Sequence, residues 1–457
     1  MGESGKFLQP QALPEVTRLG PAAGYNPCLP GWFDVQTDPE AMATILPQPY
    51  KSLRRILAVA FVGIHLFFLW SVRGRVAKGD PDFTVFYTAA KILREGHGHQ
   101  LYDARTQQVA QQEFATNSDI RRGPLPYIHP PFEAILFVPL TYLPYGQAFL
   151  LWNLLNLAML FGVAFLLRRT PGGVNNLQLW EWLLYLLAFF PVFINLLQGQ
   201  DSILLLLVFV LGFCALDRQA DLLAGSWFGL AVFKYHFVVP LVVILVLRAG
   251  WNRRKLAFGF VSVALAMTLI SLGIVGWRGA IEYPAYAWHI VSWPGHGQTP
   301  LGMLPNLLGL ATGWPGLEHA GWPLRGLVLA GSIALVFAVG RMKPWARDTG
   351  FRRLDFAVAV ITSVLVAYNT NAHDLTLLIL PMALVADYLA TGARTSGKMT
   401  LLLPVIPLLI SPLWIVLWMG WERINLMAIF LLWWIYAIRK EILRPKADRS
   451  ETVTRPA

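Results

Sequence analysis

Apolar runs close to 20 residues recur along this chain, separated by short polar segments. A helix needs about 20 such residues to cross the hydrocarbon core of a bilayer. The runs are continuous and Leu-rich rather than alternating, which argues against a closed β-barrel. The first covers residues 56–72 and is followed by a long polar loop, 73–130. A proline-bracketed piece from Phe132 to Leu143 is too short to cross and is expected to be partly embedded. Crossings are expected at 146–167, 179–196 and 202–216. Two shorter pieces, 222–234 and 237–248, have basic residues at both outer ends (Arg218 before them, Arg248 and Arg253-Arg254-Lys255 after), so they read as a hairpin with Lys234-Tyr235-His236 at its tip. A crossing at 256–276 leads into a second long loop, 277–323, rich in Trp, Pro, Gly and His. Crossings near 325–340, 355–369, 375–390, 400–419 and 424–438 complete the chain. The pattern predicts an all-α polytopic membrane protein with about 12 membrane-crossing or re-entrant helices.

Composition agrees. Only 14% of residues are charged and 56% are hydrophobic, against about 25% charged in soluble proteins. The net charge of +11 resides in short loops between apolar runs, as topology signals do, and no nucleic-acid motif accompanies it. Arg341, Lys343, Arg347, Arg352, Arg353, Arg394, Lys398, Arg439, Lys440, Arg444 and Lys446 fall on one side, which places both termini in the cytoplasm. The first long loop also carries basic residues, but long loops cross largely regardless of charge, so it is expected outside. Residues 1–50 read as a flexible cytoplasmic tail, 51–440 as the membrane domain and 441–457 as a second cytoplasmic tail. No cleavable signal peptide is evident. Cys28 and Cys214 offer neither a disulfide nor a metal spacing.

Candidate chemistry begins just after the first crossing, at Gly79-Asp80-Pro81-Asp82. An Asp before a helix is a common cap. A carboxylate fixed at a membrane surface is also a suitable general base for deprotonating an acceptor hydroxyl. If the leaving group is a lipid phosphate it departs as a stable anion and needs no general acid. One carboxylate and one phosphate-holding site then suffice for an inverting transfer, a variant of the carboxylate logic of inverting glycosidases. The Asp-x-Asp spacing also suits a divalent cation, but two carboxylates are too few oxygen ligands to indicate one. No cofactor or metal is expected, and the His residues of the second loop make no zinc spacing.

Lys234, with His236, is an ionisable group between apolar pieces, functional by default unless it snorkels to an interface. His373-Asp374 closes a polar cluster, Asn369-Thr370-Asn371, at the end of a crossing; Asp374 there is either a helix cap or part of a site. Gln198, Gln200 and Asp201 share that predicted face, where Gln amides suit sugar hydroxyls or the capping of two helix ends. His129 precedes two prolines at a membrane boundary. Trp288, Trp293, Trp314 and Trp322 fit an interfacial aromatic belt.

The first-loop residues Asp82-Phe83, Tyr87, Ala89-Ala90, Gly96 and Leu101-Tyr102-Asp103 resemble the signature of glycosyltransferase family 87, polyprenyl-phosphate-mannose-dependent α-1,2-mannosyltransferases of the GT-C class. Tyr127-Ile128-His129-Pro130-Pro131-Phe132 follows, with His where Tyr is more usual, then Pro139-Leu140, Leu143-Pro144, Trp152, Gly199-Gln200, Ala224-Gly225, Gly229 and Lys234. The resemblance covers most of residues 75–390 and lies in the order of short motifs. It implies a GT-C-type fold, an active site on the extracytoplasmic face of a bacterial plasma membrane, a polyprenyl-phosphate sugar donor and a glycolipid or glycan acceptor. The catalytic base maps to Asp82, with Asp80 in reserve. Lys234, His373 and His236 are the expected donor-phosphate contacts, and Tyr87, Gln198, Gln200, His129 and Asp374 the expected substrate contacts. The rival readings are a transporter or flippase of lipid-linked sugars, which would show internal repeats, a polysaccharide polymerase or ligase, and a pentose transferase using the same kind of carrier.

Overall fold

A computed structural model of the chain describes residues 48–116, 125–169, 177–249, 254–291, 301–314, 316–317, 320–342, 353–390, 398–410 and 425–443. The N-terminal tail up to residue 47, the C-terminal tail from 444, Cys28, Trp293 and His296 lie outside these residues. Among the described residues all regular structure is helical.

The first crossing is α1 (Gln48–Ala77). The long loop after it is not a loop but a folded layer: α2 (Phe83–Arg94), α3 (Ala104–Gln112) and α4 (Pro131–Phe137). Local chemistry sets these starts. The Asp103 side chain caps α3 by accepting from the Thr106 N–H at 2.7 Å, and α4 opens on a proline, whose missing N–H costs nothing in a first turn. Phe83, Phe86, Tyr87, Leu101, Tyr127 and Phe137 bury a core of their own beneath this layer.

Then come α5 (Tyr145–Arg168), α6 (Leu179–Ala188), α7 (Phe190–Gln198), α8 (Ser202–Asp217), α9 (Asp221–Leu230) and α10 (Tyr235–Ala249). Next are α11 (Arg254–Val291), α12 (Leu307–Thr312), α13 (Gly321–Gly340), α14 (Arg353–Val366) and α15 (Ile379–Ala390). The short α16 (Lys398–Leu402) and α17 (Val405–Leu409) and the longer α18 (Met427–Ile442) close the order. The main core is centred on α8 and on α14, whose residues Leu354–Leu365 are all buried.

By length and composition six stretches of the described residues can cross a membrane, or seven counting α6 with α7, which meet at 72°. The expected twelve or so included re-entrant helices, and three of the expected runs are short. The runs at 202–216, 355–369 and 424–438 fold into helices of 16, 14 and 16 residues, below the length that crosses unaided.

One of the six, Asp221–Arg248, is not a straight rod. A straight helix would place Gly225 about 36 Å from Ala249, and the five residues of chain from there to Arg254 reach at most about 18 Å. Yet a Cβ on Gly225 would lie 2.0 Å from the Leu256 carbonyl oxygen at the start of α11. The chain therefore turns back at the 3-10 turn Ala231–Lys234, with Lys234 at the tip. Gly225 and Gly229 form the small-xxx-small seam that lets two helix backbones touch in a membrane; Gly259 answers them from α11, its added Cβ lying 2.3 Å from the Leu222 carbonyl oxygen. Gly225→Ala is expected to destabilise the protein by about 1–3 kcal/mol, the cost of overpacking against an atom that cannot move aside. Gly326→Ala, where an added Cβ meets nothing within 4 Å, is the control. Equal thermal unfolding midpoints for the two variants would refute the seam.

Candidate functional site

Polar side chains converge where helix starts and turns meet: the start of α2, the start of α4, the α7–α8 turn, the hairpin tip and the 3-10 turn Ala372–Leu378 before α15. The α7–α8 turn is built around Gly199, which closes α7 in the left-handed region (φ 61°). A side chain there would also strike Phe83 and Phe149 at under 3 Å. Trp152 Nε1 donates to the Gly199 carbonyl at 2.9 Å. Asn195 holds the other flank: its Nδ2 donates to the Gln200 carbonyl at 3.1 Å and its Oδ1 accepts from the Ile203 N–H at 3.3 Å. These bonds fix Gln198, Gln200, Asp201 and Ser202 in direction.

Asp82 sits against that turn. Its N–H donates to Gln198 Oε1 at 3.2 Å, and its Oδ2 accepts from Gln200 Nε2 at 2.7 Å. The carboxylate is half-buried, and its other oxygen has no hydrogen-bond partner among the described residues. Asp82 makes no cap bond to α2 with its side chain. Asp80 lies apart, paired with Arg75 at 2.6 Å on the surface.

Behind Asp82 is a buried charge cluster. The Lys234 ammonium lies 2.7 Å from Asp201 Oδ1 and donates to Asp374 Oδ1 at 2.6 Å and to Ser202 Oγ at 2.8 Å. Asp374 Oδ1 also accepts from Ser202 Oγ at 2.8 Å, and its Oδ2 accepts from the Asn371 N–H at 2.8 Å, so it caps its helix and braces the site together. His373 Nε2 stands 3.6 Å from Asp374, within electrostatic reach of Asp82. The ammonium donates two hydrogen bonds and faces Asp201 as an ion pair. Lys234 thus stands between two carboxylates.

On the far side His129 Nδ1 meets Glu133 Oε2 at 2.9 Å, and Glu133 neighbours Asp201. Burial, with Asp201 adding to it, pushes the Glu133 carboxyl up to about 8 against the pull of His129. Burial lowers the His129 imidazole, but Glu133 outweighs it and holds it above its usual value. Both groups keep protons more tightly when folded, so their stabilisation is complete below the ordinary carboxylate value and is lost as pH rises through about 8. Unfolding midpoints should therefore fall between pH 5 and 9, and Glu133→Gln should flatten that slope. The same slope in both proteins would remove Glu133 from the account.

His129, Glu133 and Asp201 each offer one ligand atom, all within 4.8 Å of one another. That spacing admits a cation, and the Lys234 ammonium also lies beside Asp201.

Of the residues singled out from sequence, Asp82, Gln198, Gln200, Lys234, His373, Asp374 and His129 come together here. His236 stands at the hairpin tip against Tyr368, ring centroids 5.0 Å apart. Tyr87 does not join them. It is buried in the first-loop core against Phe114 and Tyr145, and its hydroxyl donates to the Leu143 carbonyl. Trp314 and Trp322 are exposed, as an interfacial belt requires. Sequence reasoning did not single out Glu133, Asn195 or Ser202. Only Glu133 left a signal: it is the one charge between Phe132 and Leu143, four residues after His129.

The model of glycosyltransferase family 87 matches residues 127–367, which include every residue of this cluster except Asp82, Asn371, His373 and Asp374. Two curated relatives share one name, polyprenol-phosphate-mannose-dependent alpha-(1-2)-phosphatidylinositol pentamannoside mannosyltransferase. That of Mycobacterium tuberculosis (strain CDC 1551 / Oshkosh) is 30% identical over 156 residues, 34% of this chain and 35% of its own. That of Mycolicibacterium smegmatis (strain ATCC 700084 / mc(2)155) is 31% identical over 109 residues, 24% of this chain and 26% of its own. The chain thus spans about a third or less of the length of these curated relatives. No solved structure matches it. With a family match over more than half its length, the chain, whose helices are apolar enough to cross a bilayer, belongs to glycosyltransferase family 87.

Proposed function

We propose that the protein moves a hexose, mannose, from a polyprenyl phosphate to a hydroxyl of a glycolipid or glycan on the extracytoplasmic face, with inversion. The observation that carries this reading is Asp82: a half-buried carboxylate held through one oxygen by Gln200, with the other oxygen left for a substrate proton. The acceptor oxygen attacks the anomeric carbon, its proton passes to Asp82, and the bond to the carrier phosphate breaks. The phosphate leaves with the bonding electron pair and needs no proton. We assign contact with it to His373 and His236, and to Lys234 the task of holding Asp201 and Asp374 in place. Gln198 and Gln200 orient Asp82, with Gln amide groups left to meet sugar hydroxyls. The names of the two relatives support the choice of mannose and of a polyprenol-phosphate donor.

The test uses the purified protein in lipid nanodiscs with radiolabelled polyprenyl-phosphate mannose and a membrane glycolipid extract. Label should move into glycolipid. If it does not, while sealed vesicles containing the protein equilibrate the labelled lipid between leaflets, the protein is a flippase and this reading fails. Transfer from a pentose carrier alone would keep the mechanism and replace the sugar.

A further inference from the structure

Five of the chain's 14 tyrosines stand side by side next to the charge cluster, although they come from distant segments. Tyr102 follows the short turn at Gly98–Gln100, Tyr283 and Tyr286 lie on α11 beyond its kink at Gly276 (φ 69°), Tyr235 opens α10 at the hairpin tip, and Tyr368 follows α14. Ring centroids are 4.8 Å apart for Tyr102 and Tyr283, 5.4 Å for Tyr102 and Tyr286, and 6.2 Å for Tyr235 and Tyr368. Their hydroxyls fix the rings. Tyr102 donates to the His129 carbonyl and Tyr283 to the Ile128 carbonyl, each at 2.8 Å. The Tyr235 and Tyr368 hydroxyls share a hydrogen bond of 2.7 Å. Tyr235 lies beside Tyr283, so the row runs from the backbone of the His129 edge to the hairpin tip.

The far end is open. Tyr235 is 39% exposed and Tyr368 52% exposed. Beside Tyr368, the Nδ1 of His236 is shut off from solvent and has no hydrogen-bond partner among the described residues. A hydrocarbon tail would call for Leu or Phe here, and neither tyrosine hydroxyls nor an unpartnered imidazole nitrogen would serve it. A pyranose ring has the matching character: an apolar C–H face for the electron-rich ring face and a rim of hydroxyls for the tyrosine hydroxyls.

We propose that this tyrosine row is a subsite for a sugar ring of the acceptor, with Tyr368 and Tyr235 as its stacking face. The proposal rests on the glycosyl-transfer reading and names the part of the acceptor that is gripped. The donor reaches the site through its lipid, whereas an acceptor glycan must be held by its own sugars.

Saturation-transfer NMR with α-1,2-linked mannobiose and the protein in nanodiscs tests this, with empty nanodiscs as the blank. Saturation should reach the C–H protons of one ring face in wild type and in Tyr368→Trp. It should report binding about 2–10-fold weaker in Tyr368→Ala, the worth of one aromatic contact. Equal saturation in Tyr368→Ala, or none in wild type, overturns the subsite. An unfolding midpoint unchanged by Tyr368→Ala separates lost binding from lost fold; if that midpoint drops, comparison of Tyr368→Trp with Tyr235→Ala decides instead. The readout needs no turnover. Transfer to glycolipid without saturation overturns the row alone, and saturation without transfer overturns the transferase reading alone.

Discussion

Asp82→Asn is expected to lower turnover by about 10²–10⁴-fold, the usual cost of removing a positioned general base. Asparagine keeps the shape and can still accept from Gln200 through its amide oxygen, so the fold and the donor KM should hold while kcat collapses. The structure sharpens the comparison with the second carboxylate. Asp80 is tied to Arg75 at 2.6 Å on the surface, whereas Asp82 is tied to the turn that carries Gln198 and Gln200. Asp80→Asn should therefore leave kcat near wild type. If the losses are reversed, the base is Asp80. If neither variant slows transfer, no first-loop carboxylate takes the proton.

Lys234→Met is expected to be the most destabilising single change. It leaves Asp201 and Asp374 buried side by side with no cation, and breaking a buried pair in this way costs about 3–5 kcal/mol. The double change Lys234→Met with Asp374→Asn removes one of the two stranded charges and should recover part of that loss. Thermal unfolding in detergent or nanodiscs reads both. Should Lys234→Met instead keep its midpoint and raise only the donor KM, the ammonium is a phosphate contact, and its bonds to Asp374 and Ser202 would have to open on donor binding.

The crossings with strong, long apolar runs were legible because burial in lipid demands them: 146–167 became α5 (Tyr145–Arg168), and 325–340 became α13 (Gly321–Gly340). The hairpin tip at Lys234 was legible because basic residues flank both ends of the pair. The crossing count was not. An apolar run of 15 residues reads the same whether it faces lipid or, like α14, is buried on all sides by other helices. At the site, the side chains that sequence marked are those whose polarity is conspicuous in apolar surroundings. Glu133 is nearly so. Asn195 and Ser202 are not, because their role is to hold a turn whose shape depends on Gly199, and nothing in their spacing announces it. Tyr87 entered only through the first-loop resemblance, and its hydroxyl is spent on a backbone carbonyl.

The brace at Lys234 also sets an order of assembly. Asp201 and Lys234 are made close together, and their pair alone is electrically neutral, so this part of the chain can enter a bilayer without an unmatched charge. Asp374 is made 140 residues after Lys234. It arrives as a surplus anion whose place is already prepared by an ammonium and by Ser202. The late segment is thereby drawn to one address among many apolar neighbours, and the centre closes only when nearly all of the membrane domain has been synthesised.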